Sequence, residues 1–220
     1  ISVPFEDVCS IIATTTESIY FLTARNRSVY RYSFNRPLEH VFNMSGAHAG
    51  PVLSAAVNSG EPDVLYTVTY IVGHGMEIIK HGKFESERIP TLYGAGAKLR
   101  NILFANNEFY VATDHCLYVH DREWAQTQAL PNSHFTPVPD NTITYMCAGD
   151  DGEVWVSVLT KDWLSIHHFI NHKRKALYHY AHPKWFESID KWSKATCTGL
   201  SHRKGRIYMG HINPNRMLCF

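Results

Sequence analysis

One pattern recurs five times along the chain and limits its fold more than any other feature. Each copy has an apolar segment, a polar turn, an apolar triplet centred on an aromatic residue, and a further short apolar segment. The copies occupy residues 8–13, 19–23 and 28–34; 52–57, 64–69 and 76–80; 99–104, 109–113 and 116–120; 143–148, 154–158 and 164–168; and 197–200, 207–210 and 217–220. The central aromatics are Tyr20, Tyr66, Tyr110, Trp155 and Tyr208, so the spacings are 46, 44, 45 and 53 residues. Thr23, Thr69 and Thr113 follow three of them at the third position. Every segment is short, β-branched or aromatic, and bounded by Gly, Asn, Asp or Pro, which are strand and turn signals rather than helix signals.

A period near 45 with three to four strands per unit is the spacing of a propeller blade. A lone four-stranded sheet with two apolar faces can bury neither, whereas stacked sheets bury both. The sequence therefore predicts an all-β protein, a β-propeller of five blades with four antiparallel strands each. One domain over residues 1–220 would hold blades at about 8–44, 52–92, 99–130, 143–182 and 195–220. Fourth strands are visible at 38–44 and 176–180. The last unit lacks an outer strand, and residues 1–5 form an extended segment that would complete it and remove an exposed edge. Pro4 suits such an edge. A short helical insertion is expected at 183–194, where Trp185, Ile189 and Trp192 fall at helical spacing.

With 45% hydrophobic, 13% aromatic and 19% charged residues, the chain is not of a disordered class. Its formal net charge of +1 gives no global field to attract nucleic acid, and no apolar run is long enough to cross a membrane as a helix. Cys9, Cys116, Cys147, Cys197 and Cys219 are widely separated and odd in number, unlike a disulfide framework or a zinc site. Free thiols favour an intracellular compartment, cytoplasmic or nuclear. The triplets Asn26-Arg27-Ser28 and Asn43-Met44-Ser45 keep a secretory origin open. The chain opens Ile-Ser-Val-Pro without a signal-peptide pattern, as expected of a processed chain or a domain of a larger protein.

The units resemble those of the β-propeller superfamily. Gly46-Ala-His48 through Val52, Ala56-Val57, residues 63–67 and Ile78-Ile79 are similar to a WD-repeat with its Gly-His opening. Residues 150–156 resemble an NHL-type repeat instead. No unit carries a Trp-Asp dipeptide after its third strand; Arg31-Tyr32 and His120-Asp121 stand in the equivalent places. The resemblance implies the architecture.

No catalytic motif has the required spacing, and Tyr93-Gly-Ala-Gly-Ala-Lys98 leads into a strand as an inter-blade loop would. His167, His168, His172, His179 and His182 are clustered in sequence, but adjacent strand residues point to opposite faces, which disfavours one shared metal. No cofactor or metal is expected. Asp114, Asp140 and Asp162 are the carboxylates placed for a glycoside-hydrolase-like or glycan-binding alternative. The preferred reading is a non-enzymatic scaffold for a protein or peptide partner, with loop residues Arg25, Arg27, His74, His115, Lys161, Trp163, His211 and Arg216 as the site. Arg and Trp are enriched among binding hot spots, and Arg pairs with carboxylate or phosphate, so an acidic or phosphorylated peptide is the expected partner.

Overall fold

The computed structural model describes residues 9–15, 17–44, 50–90, 93, 97–114, 116–131, 142–150, 152–159, 164–180, 197–211 and 216–219. The chain divides into two compact units, residues 1–94 and 95–220. Both are built from propeller-like sheets in which each strand pairs antiparallel with the next.

The first unit holds two four-stranded sheets. One runs β1 (Cys9–Thr14), β2 (Ser18–Thr23), β3 (Ser28–Ser33) and β4 (Glu39–Asn43); the other runs β5 (Val52–Ala56), β6 (Leu65–Ile71), β7 (Gly75–His81) and β8 (Ser86–Arg88). Tyr20, Leu22, Val29 and Phe42 of the first sheet pack with Val57 and Leu65 near the second.

The second unit holds three. The first is β9 (Leu99–Ala105), β10 (Glu108–Thr113), β11 (Cys116–His120) and β12 (Gln126–Pro131). The next is β13 (Thr142–Ala148), β14 (Glu153–Leu159), β15 (Leu164–Ile170) and β16 (Lys173–Tyr180). The last has β17 (Cys197–Arg203), β18 (Arg206–His211) and β19 (Arg216–Cys219).

Strand β14 shows why these sheets must stack. Val154, Val156 and Val158 point one way into a cluster with Tyr110, Leu117 and Val119 of the preceding sheet. Trp155, on the opposite face, packs with Ile207 and Met209 of the following sheet. Both faces are buried, and each fully buried aliphatic chain contributes roughly 1.5–3 kcal/mol.

The recurrent threonine has a local function. Thr23 Oγ1 accepts from Ser28 N at 3.0 Å, and Thr113 Oγ1 accepts from Cys116 N at 3.0 Å. Each hydroxyl thus closes the hairpin between the second and third strands, a side-chain bond that stands in for a missing ladder bond. At the opposite sheet ends, two-residue turns have both residues at positive φ: Asn106-Asn107, Asn171-His172 and Lys204-Gly205. This is the hairpin geometry whose twist matches that of the flanking strands.

Two expectations about the fold need correction. Among the described residues there is no helix, and every regular element is a strand. The fifth sheet has three described strands rather than four. Residues 183–194 and the closing segment 1–5 lie outside the described residues. Strands β8 and β12 were implied by four-stranded blades at 52–92 and 99–130 but not located, because their sequences Ser-Glu-Arg and Gln-Thr-Gln-Ala-Leu-Pro carry little apolar signal.

Candidate partner-binding site

Three of the residues singled out from sequence fall at one end of the first unit. Arg25 is exposed in the turn between β2 and β3, and Arg27 ends that turn with φ 52°. The Arg27 guanidinium donates to the Gly50 carbonyl oxygen, while its Nε is buried without a hydrogen-bond partner among the described residues. Burial pulls the Arg27 guanidinium below its usual value. Gly50 lies against the next hairpin: a Cβ there would fall 1.9 Å from the Tyr70 carbonyl oxygen. Only glycine permits so close an approach of two backbones. Tyr70 N then donates to Pro51 O at 3.0 Å. These links join the β2–β3 hairpin to the β6–β7 hairpin, which carries His74.

The β6–β7 turn is kept open by Gly73 (φ 83°) and Gly75 (φ 90°). His74 is exposed, with Nδ1 3.8 Å from Glu77 Oε1, and Arg88 Nη2 holds the same oxygen at 3.0 Å. Sequence reasoning missed the apolar part of this end. Val72 is 86% exposed, Leu53 52% and Tyr70 47%. Their signal was a pair of large apolar residues, Tyr70 and Val72, alternating with buried Ile71 at a strand end.

Of the other predicted residues, His211 and Arg216 are brought opposite one another in the β18–β19 register of the second unit. His115, Lys161 and Trp163 lie outside the described residues, as do Asp140 and Asp162. Asp114 serves its own loop, with Oδ1 accepting from Lys98 N at 2.8 Å and its N–H donating to Lys98 O at 3.0 Å.

The sequence also gave no warning of how histidines and carboxylates meet in the second unit. His168 stacks flat on Trp155, with ring centroids 3.9 Å apart at 2°. Glu153 is 3.1 Å from His168 Nε2, accepts from Trp155 Nε1 at 3.2 Å, and lies 3.8 Å from His202 Nε2. Gly149 makes room for this group, since a Cβ there would meet Glu153 at 2.5 Å and Trp155 Nε1 at 2.8 Å. One sheet earlier, Glu108 takes His172 Nε2 at 2.7 Å and the Tyr110 hydroxyl at 3.3 Å. Chiefly through burial, the Tyr110 phenol is pushed up to about 12. His167 points away from His168 and bonds Ser165 Oγ at 3.0 Å. Among the described residues no group of three or more His, Cys, Asp or Glu is placed to hold a metal ion.

Comparison with known proteins adds the fold and no family. No protein-family model matches the chain, and no curated protein matches it. The extracellular domain of a hybrid two-component system from Bacteroides thetaiotaomicron is similar over 100% of this chain and 28% of its own, at 13% identity and TM-score 0.59. A nidogen/laminin complex matches over 97% of this chain and 76% of that one, at 10% identity and TM-score 0.58. An aldose sugar dehydrogenase from Streptomyces coelicolor, solved with PQQ bound, matches over 96% and 76%, at 9% identity and TM-score 0.57. The chain thus spans under a third of the first of these structures. At such identities the likeness is one of fold: an all-β, propeller-like arrangement.

The intracellular preference drawn from the cysteines is corrected at this point. Extracellular domains and a nidogen/laminin complex share this fold, so the fold gives no preference for a cytoplasmic or nuclear location. The thiol argument was weak for a physical reason. Cys116 is buried, and burial pushes its thiol up from the ordinary value. Such a cysteine behaves as a small apolar core residue and reports little about the redox environment.

Proposed function

We propose that this chain is a binding module of degenerate WD-like or NHL-like repeats that takes an acidic or phosphorylated peptide at the hairpin end of its first unit. The observation that supports this reading is the union of Arg25, Arg27 and His74 with exposed Val72, Leu53 and Tyr70. Cationic side chains would pair with carboxylate or phosphate, and the apolar surface would seat the neighbouring peptide side chains. The Arg27–Gly50 link sets one cation before the partner arrives, which lowers the ordering cost of binding. His115, Lys161, Trp163, His211 and Arg216 belong to the second unit and are proposed as partner contacts of that unit by itself.

A peptide array graded in Asp, Glu and phosphoserine content, probed with the labelled chain, tests this reading. Acidic and phosphorylated spots should bind, and the double variant Arg25→Glu, His74→Glu should lose them. Binding that ignores peptide charge would sink the proposal.

The second reading is a glycan-binding or glycoside-hydrolase-like protein. The range of enzymes sharing the fold, including a sugar dehydrogenase, lends this reading more support than the peptide reading receives from the same comparisons. Glu153, Asp150 and the Trp155–His168 stack are the described groups that such chemistry would draw on. Binding to a neutral glycan array with no response on the peptide array would move the assignment here.

A further inference from the structure

A second charged surface lies wholly within the second unit, at the end of the β15–β16 and β17–β18 hairpins. Lys173 and Lys175 open β16, and Arg203, Lys204 and Arg206 form the tip of the β17–β18 hairpin; all five are exposed. None is ion-paired with another described residue. Strand register and side-chain contacts place the two tips together. Lys173 is opposite Ile170, Ile170 is opposite Glu153, and Glu153 is 3.8 Å from His202, the residue before Arg203. Both tips therefore lie at the same end of two neighbouring sheets.

Two features separate this surface from an ordinary solvated one. Arg203 and Arg206 are direct register partners, and like charges placed opposite each other destabilise a sheet. An anion bound between them converts that repulsion into attraction. Both tips are also two-residue turns with both central residues at positive φ, so the cations stand on a fixed framework. Of the nearby carboxylates, Glu153 is held by His168 and His202, whereas Asp150 is exposed and 3.9 Å from His202, so the cations outnumber it on this surface. The whole chain carries a net charge of only +1, so this concentration is local.

We infer that this hairpin end binds an anionic polysaccharide, a flexible chain with sulfate or carboxylate groups repeated along it. Single-stranded nucleic acid would call for aromatic faces on which bases stack. Here Trp155 is covered by His168, and Trp124 is stacked on Phe109 at 4.3 Å. The ligand is therefore recognised through its charges. This surface is independent of the peptide site proposed on the first unit.

The test uses heparin, immobilised, at pH 7.4 with a salt gradient. The wild-type chain should be retained at physiological salt. The variant Lys173→Glu, Lys175→Glu, Arg203→Glu, Arg206→Glu should lose affinity about tenfold or more, since each ionic contact contributes to salt-dependent binding. Lys173→Arg with Lys175→Arg should remain bound, and Arg25→Glu with His74→Glu should bind as wild type does. Soluble heparin should displace the chain at least about tenfold better than duplex DNA or polyglutamate of equal charge. If the fourfold variant is unfolded by circular dichroism, Lys175→Gln with Lys204→Asp replaces it, because Asp tolerates the positive φ at 204. Failure of wild type to be retained, or equal retention of a folded charge variant, overturns the proposal. Equal displacement by DNA or polyglutamate overturns the assignment to polysaccharide.

Discussion

The two units use the same repeat position in different ways. In the first, the buried Tyr20 hydroxyl donates to Pro62 O in the next sheet at 2.9 Å. Beside it Arg31 binds Glu39 and Asp63, each at 2.7 Å, and so ties the sheets together. In the second unit the equivalent aromatics, Tyr110 and Trp155, bond carboxylates of their own strand, and histidine completes the joint: His172 on Glu108, and His168 with His202 on Glu153. Guanidinium is always charged, whereas imidazole is charged only when protonated. One repeat position is therefore backed by a guanidinium clasp at Tyr20 and by histidine–carboxylate joints at Tyr110 and Trp155, while Tyr66 of the first unit donates to Glu61 at 3.0 Å. The apolar requirement is shared, but the polar partner is free to vary as long as the buried hydroxyl or indole N–H is satisfied.

The strongest way to break this comparison is to remove an aromatic. Trp155→Ala should cost about 3–5 kcal/mol, as large aromatic truncations in packed sites do. It empties the space between Ile166, Ile207 and Met209 and strips His168 of its stacking partner. Urea denaturation followed by far-ultraviolet circular dichroism reads the loss. All five tryptophans, at 124, 155, 163, 185 and 192, lie in the second unit, so tryptophan fluorescence reports that unit. A loss below about 1 kcal/mol would mean that Trp155 is not a core residue, and that the two units are less alike than their repeat suggests.

A smaller effect should follow from replacing the ionic clasp of the first unit. Arg31 is 15% exposed, but Glu39 and Asp63 are 56% and 67% exposed. Burial works against the Arg31 charge, and hydrogen bonds and attraction from Glu39, Tyr20 and Asp63 outweigh it. Solvent screening of the carboxylates keeps the net value to about 1 kcal/mol or less. Arg31→Met should lower stability by that amount, with the difference shrinking as salt is raised. Insensitivity to salt would identify Arg31 as a packing residue whose aliphatic stem, not its charge, covers Tyr20.

How much of this could be read from the chain depends on the range of each interaction. Period-2 alternation and the central aromatics are local signals, and they located most strands and the buried faces. Thr23, Thr69 and Thr113 were visible as a repeat, although the sequence did not show that Thr23 and Thr113 close their hairpins while Thr69 bonds Thr67 instead. Strand β12 was silent because an outer strand need not be apolar. Asn106-Asn107, Asn171-His172 and Lys204-Gly205 were turn signals that could have fixed three hairpins. The inter-sheet joints were beyond reach. His172 and Glu108 are 64 residues apart, and no local pattern pairs them. The proposed binding surface was half legible: cationic turns stand out in sequence, but Val72 and Tyr70 became surface residues only once β6 was seen to end at Ile71.

The finest test of the contrast concerns acid. His120 in β11 is buried and its Nδ1 is 3.2 Å from Trp124 O. Its pKa is lowered from 6.5, chiefly because burial penalises the imidazolium; the Trp124 carbonyl and Asp121 act in the other direction without prevailing. The unfolded chain therefore takes up a proton at this residue more readily than the folded one does. As pH falls through the ordinary histidine value of about 6.5, that difference works against folding, and it saturates once pH is below the depressed folded value. His120→Gln removes this contribution. At neutral pH the variant should lose a modest amount of stability from the altered bond to Trp124, and the gap to wild type should narrow on acidification. Trp124 stacks on Phe109 beside His120, so tryptophan fluorescence can follow this change within the second unit, whereas Arg31→Met should leave the pH profile of that signal unchanged. A gap between wild type and His120→Gln that stays constant from pH 7.5 to 5 would show that His120 is protonated equally in both states.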